Sequence, residues 1–152
     1  MAGLGPAPAV LRDWVKSAKH AWNQAAYLPN PNDWQAVARV ARRLVELRAT
    51  DFVGGFVVRA WERFTGAEVR SWWVEGACKL LTAHPDTPEA VPPLVDTGPF
   101  AAAVATLGAR FVTVDLAQRT DGVWRVVEVG DGQVSDRPSS TPPDEFLAAL
   151  IG

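Results

Sequence analysis

A single thiol, Cys78, is all that this 152-residue chain carries, so no disulfide framework and no cysteine-rich zinc site can be written for it, and a reducing compartment fits. Histidine is almost as scarce. His20 and His84 show neither triad nor metal-ligand spacing and read as structural or solvent-facing residues. No apolar run approaches the roughly 18 residues that span a bilayer. The apolar opening, Met1 to Leu11, lacks a basic flank and carries Pro6 and Pro8, unlike an export signal. Excess charge of one sign is missing too: 15 basic against 17 acidic side chains leave a formal net charge of -2, which excludes generic nucleic-acid binding and makes any anion site local. A cytoplasmic protein without membrane attachment is the expectation. What is present, 48% apolar residues and seven tryptophans, supplies the core of one folded domain.

The opening 1–10 reads as a flexible lead-in that runs into a short strand at Val10–Val15, followed by polar Lys16–Asn23. A helix is expected over Asp33–Arg48. Its apolar stripe is Trp34, Val37, Ala38, Ala41, Leu44 and Val45, with Asn32 and Gln35 as a capping box. Arg39, Arg42 and Arg43 lie off the stripe, on a solvated face. Gly55–Trp61, Glu68–Glu75 and Gly76–Ala83 read as strands of an antiparallel meander with turns at Thr65–Gly66 and Glu75–Gly76. Thr97 caps a helix that Gly108 closes. Phe111–Ala117 and Val123–Val129 alternate and are joined across Asp121–Gly122, a favoured hairpin turn. Thr141-Pro142-Pro143-Asp144 opens a C-terminal helix. The class is α+β, with antiparallel sheets and flanking helices.

A two-residue turn at Asp121–Gly122 sets Asp115 directly opposite Glu128. Cross-strand Cβ atoms lie about 5 Å apart, and at an effective dielectric near 20 two carboxylates there repel by roughly 3 kcal/mol. A divalent cation would reverse the sign. Hard oxygen donors, with Asp131 three residues beyond Glu128, favour Mg²⁺ over zinc. The alternative is two acids that avoid each other on a solvated face; a glycosidase pair fits poorly, because one hairpin holds the two too close. A turn at Glu75–Gly76 likewise places Glu68, Arg70, Trp72, Lys79 and Leu81 on one face, where Arg70 and Lys79 can hold phosphate and Glu68 a ribose. Laced ion pairs on an exposed face are the competing reading. Lys16-Ser17-Ala18-Lys19-His20 is a polar cluster without a phosphate-loop glycine frame. Cys78 falls on the face opposite Arg70, as an inert thiol.

The order VKSAKHAWNQAA, helix, FVVRAW, EVRSWWVEG, helix, FVTVDLAQ, WRVVEVGDGQV resembles the ATP-grasp domain, closest to a bacterial and phage clade known for its arginines and lysine. The likeness covers residues 11–152. It implies ATP and Mg²⁺ as cofactors and a carboxylate–amine (or thiol) ligase working through an acyl phosphate. It also implies Asp115 and Glu128 as metal ligands, with Asp131 nearby. Glu68 matches the ribose-contacting acid, Arg70 and Lys79 lie along the phosphates, Arg59 falls in the hinge beside the adenine, and Lys16 belongs to the clade's VKSxKH stretch. Arg70 and Lys16 are the implied catalytic cations. Two positions depart from the pattern: Gly130 stands where the family has Asn, and Arg12 where a phosphate-binding Lys is expected. The family's N-terminal substrate-side domain is expected to be absent, and a homodimer could cover the surface it leaves. Different in class are a non-catalytic nucleotide-binding or regulatory module and a tryptophan-rich interaction domain.

Overall fold

The computed structural model describes residues 7–151; the expected lead-in therefore lies mostly outside the described residues. The chain forms two compact units, Met1–Glu62 and Arg63–Gly152. In the first, β1 (Ala9–Arg12) is the centre of an antiparallel sheet between β2 (Tyr27–Leu28) and β3 (Val57–Ala60). A short helix α1 (Trp22–Ala25) precedes β2, and α2 (Trp34–Arg48) follows it. Leu11, Ala25, Leu28, Val40 and Leu44 form the buried core, against which Val37, Ala41 and Leu47 pack.

The α2 stripe is rotated from the expected one. Val40 and Leu44 are its buried residues, while Trp34 is 73% exposed and Val45 is exposed too. Its cap also sits one residue later: the Asp33 carboxylate accepts the Gln35 and Ala36 N–H groups at 3.1 and 3.0 Å, so the Asn32–Gln35 box does not form. A charged acceptor at the N-cap satisfies two helix-end donors and meets the positive end of the dipole, which decides the start. Arg39, Arg42 and Arg43 are exposed, as expected.

The second unit is a four-stranded antiparallel sheet of order β5-β4-β6-β7, built from β4 (Phe64–Val74), β5 (Ala77–Ala83), β6 (Phe111–Arg119) and β7 (Trp124–Asp131). The Gly55–Trp61 segment is not part of it; it supplies β3, which pairs with β1. Thr65–Gly66 is no turn either, because β4 runs through it. Gly66, at φ +92°, falls where the β4–β6 register shifts, a strand irregularity that positive φ permits.

One face of this sheet carries Val69, Trp73, Val112, Val114 and Leu116 against α3 (Gly98–Ala105), which contributes Phe100, Ala101 and Val104. The strand alternation sends Glu68, Arg70 and Trp72 to the other face. There Trp72 is buried at an edge-on contact of 4.6 Å between ring centres with Phe146 of α4 (Pro143–Ile151) and stacks on Phe111 at 6.0 Å. Its indole N–H is satisfied by Thr82 Oγ1 at 3.0 Å. None of the described helices is long and apolar enough to cross a membrane.

Candidate functional site

The centre of the polar face is Asp115, 2% exposed in the middle of β6. Arg70 stands directly across from it on β4 and grips it side-on, Nε to Oδ1 and Nη2 to Oδ2, both at 2.8 Å. The third guanidinium nitrogen donates to the Asp136 carbonyl at 2.9 Å. The hydrogen bond to Asp115 raises the Arg70 pKa above its usual value; burial opposes this, and Asp115, Glu128 and Asp136 add attraction. A bidentate, charge-assisted pair of this kind fixes geometry as well as charge. The repulsion expected between Asp115 and Glu128 is thus met within the protein by Arg70.

Glu128 does lie opposite Asp115, but the hairpin that places it there is not the one expected. Arg119 and Val123 close a three-residue loop, with Gly122 at φ +87°, where a two-residue turn was anticipated. Near the loop every pairing is therefore one residue out. Between Asp115 and Leu116 a bulge leaves Val127 unpaired in β7 and restores the Asp115–Glu128 match. Two one-residue departures cancel.

On the β4–β5 side only one departure occurs. Glu75 and Gly76 both have positive φ, the geometry of a primed two-residue turn, and Val74 and Trp73 pair as expected with Ala77 and Cys78. The register then shifts at Trp72/Trp73. Lys79 is the residue in excess, and Arg70 pairs with Thr82. Lys79 is exposed at the bulge, so the register that was to align it with Arg70 and Glu68 does not hold. Leu81 packs instead on the α3 side of the sheet. Cys78 packs there too, and burial pushes its thiol pKa up.

The same shift brings in a residue that the sequence reading set aside. His84, one position past β5, has Nε2 3.5 Å from Asp115 Oδ2, and one ligand atom each of Glu68, His84 and Asp115 lie within 4.8 Å of one another. His84 Nδ1 accepts the Asp86 N–H at 3.2 Å. The signal was arithmetic: once a bulge adds one residue, the partner of Glu68 moves from Ala83 to His84.

Asp131 is not in this cluster. It pairs with Val112, so its alternation is that of the α3 face, and its carboxylate accepts the Gln133 N–H at 2.9 Å. The departure at Gly130 has a steric cause. A Cβ there would sit 2.7 Å from Thr113 Oγ1 and 3.0 Å from Ser135 Oγ, two hydroxyls bonded to each other at 2.8 Å. An Asn side chain cannot enter without moving them.

The remaining expected residues belong to the first unit. Asp13, fully buried at the end of β1, accepts the Val15 and Lys16 N–H groups at 2.7 and 2.5 Å and Arg48 Nε at 2.8 Å. Burial raises its pKa, and these hydrogen bonds outweigh that, leaving the carboxyl below its usual value. Arg12 braces the same loop through the carbonyls of Asp13 and Val15, and the Lys16 side chain is exposed. Arg59, exposed on β3, pairs in register with Val10.

A family model for the ATP-grasp domain, family 3 of the clade named for its arginines and lysine, matches residues 2–150. The chain belongs to the ATP-grasp domain family. None of the curated proteins and none of the solved structures compared with it matches. The membership carries ATP binding and a ligase-type domain, and the α+β class of antiparallel sheets with helices agrees with it.

Proposed function

We propose that this ATP-grasp domain binds Mg-ATP at the polar face around Asp115 and uses it to activate a carboxylate as an acyl phosphate for attack by an amine or thiol. The observation that carries the reading is the cross-strand pair Asp115–Glu128 beside Arg70, within a chain matched almost end to end by the family. Two hard carboxylates with room for phosphate oxygens are the donor set Mg²⁺ prefers. Bound there by Asp115 and Glu128, the ion would supply charge neutralisation on the transferring phosphoryl group.

The rest falls to the chain's own groups. Arg70 holds Asp115 in one orientation with three of its five N–H donors and offers the other two to a phosphate oxygen. Glu68 is placed to accept from a ribose hydroxyl. Lys16, exposed on the Asp13 loop, is the second cation that the family likeness implies. Such preset charges stabilise a phosphoryl-transfer transition state without reorganising. No protein nucleophile is required.

Hydroxylamine added with ATP, Mg²⁺ and a panel of carboxylates tests this, since an acyl phosphate is trapped as a hydroxamate. Hydroxamate formed together with ADP supports the reading. ADP release that no carboxylate or amine alters favours a nucleotide-binding module without ligase chemistry.

A further inference from the structure

We propose that Glu68, His84 and Asp115 form a binding site for a borderline transition-metal cation, Zn²⁺ first among them, different in donors from the Mg²⁺ site at Asp115 and Glu128. One imidazole nitrogen with two carboxylates suits zinc better than magnesium, which avoids nitrogen. The 3.5 Å from His84 Nε2 to Asp115 Oδ2 is long beside an ordinary N–H···O bond of about 2.9 Å. It matches the roughly 3.4 Å edge between two ligands of a tetrahedral zinc with bonds near 2.1 Å. The Glu68 carboxylate, within 4.8 Å of both, closes the triangle by a rotamer adjustment of about 1 Å, which a half-buried Glu at a strand end can make.

The surroundings are those of a metal site. Around Asp115 one guanidinium faces Glu68, Glu128 and Asp136 as well, so the local charge is negative and a dication brings it close to balance. Arg70 holds the Asp115 carboxylate on one side. On the other, the Asp86 carboxylate lies 3.6 Å from His84 Nδ1, positioned to take the proton that a metal on Nε2 requires at Nδ1. Carboxylate–histidine–metal chains of this form orient the ligand ring. Three protein ligands leave a fourth position for water or an anion. Glu68, assigned a ribose by the family resemblance, would here serve the cation.

The proposal does not rest on nucleotide binding, and its test omits nucleotide. Zn²⁺ is titrated into the full chain against a chromophoric chelator, and Co²⁺ is followed by visible absorption and proton NMR. One equivalent should bind, with a ligand-field spectrum free of thiolate charge transfer. With only two histidines in the chain, Co²⁺ should shift the His84 ring resonances and leave those of His20 in place. His84→Gln and Glu68→Gln should each weaken Zn²⁺ at least about tenfold, while Asp131→Asn leaves it unchanged. A parent chain that takes up no metal overturns the proposal, as does His84→Gln binding Zn²⁺ like the parent. A Co²⁺–thiolate band, which would move the site to Cys78, overturns it too. Should His84→Gln fail to fold, the NMR comparison on the parent decides alone.

Discussion

Each unit of this protein buries one aspartate under an arginine, and the two are built for different ends. Asp13 is closed: two backbone N–H groups of its own loop and Arg48 take its oxygens, and Arg48 in turn is tied to the Asp51 carbonyl. Asp115 is open. Arg70 takes one side of it, and on the other it meets His84, with Glu68 near by and Glu128 across the hairpin. A buried carboxylate whose partners are all local hydrogen bonds stabilises a loop. One whose partners leave surplus negative charge facing outward is arranged to receive a cation.

That contrast can be broken most sharply at the arginines. Arg70→Ala leaves Asp115 without a compensating charge among its acid neighbours and should cost about 3–5 kcal/mol, the usual penalty for opening a buried pair. Urea denaturation measures it; a loss under about 1 kcal/mol would show that Asp115 keeps its charge by other means. Arg48→Ala removes one charged hydrogen bond and leaves Asp13 its two N–H donors, so about 1.5–3 kcal/mol is expected, less than for Arg70.

The closed site also has a pH signature. The Asp13 carboxyl is depressed from an ordinary value of 3.8. Its contribution is therefore complete above that value and is lost as the pH falls through the lower folded-state value. Urea midpoints of the parent and Asp13→Asn should differ at neutral pH and converge under acid; a gap independent of pH would contradict the assignment. Smallest is the stability effect of Glu128→Gln. Glu128 is exposed, and its removal should change stability by no more than about 0.5 kcal/mol.

How much of this was legible in the residues depended on where bulges fall. Strand and helix order could be read because alternation, caps and Pro–Gly punctuation are local. Pairings could be carried from a turn only as far as the first inserted residue. Asp115–Glu128 was reached correctly although the loop is one residue longer than expected, because the unpaired Val127 compensates. The β4–β5 hairpin had no second departure, so Lys79 was placed on the Arg70 face and His84 was overlooked. Nothing in a single strand marks a bulge when the partner's packing decides it. Gly130 was noticed as a departure, but its reason, the Thr113 and Ser135 hydroxyls in the space of a side chain, is tertiary. The exposed Trp34 reflects the same limit: the stripe spacing was right, and which edge of it meets the β1 sheet was not in the pattern.

The measurement that bears most directly on the central claim is a calorimetric titration of ATP, with and without Mg²⁺, into the parent and into Glu128→Gln, a change that should leave the fold intact. One ATP per chain is expected in the parent, with Mg²⁺ tightening binding by at least about tenfold, and Glu128→Gln should lose that tightening. Equal affinity with and without Mg²⁺, or a variant that responds to Mg²⁺ as the parent does, would contradict the placement of Mg-ATP on the Asp115–Glu128 hairpin.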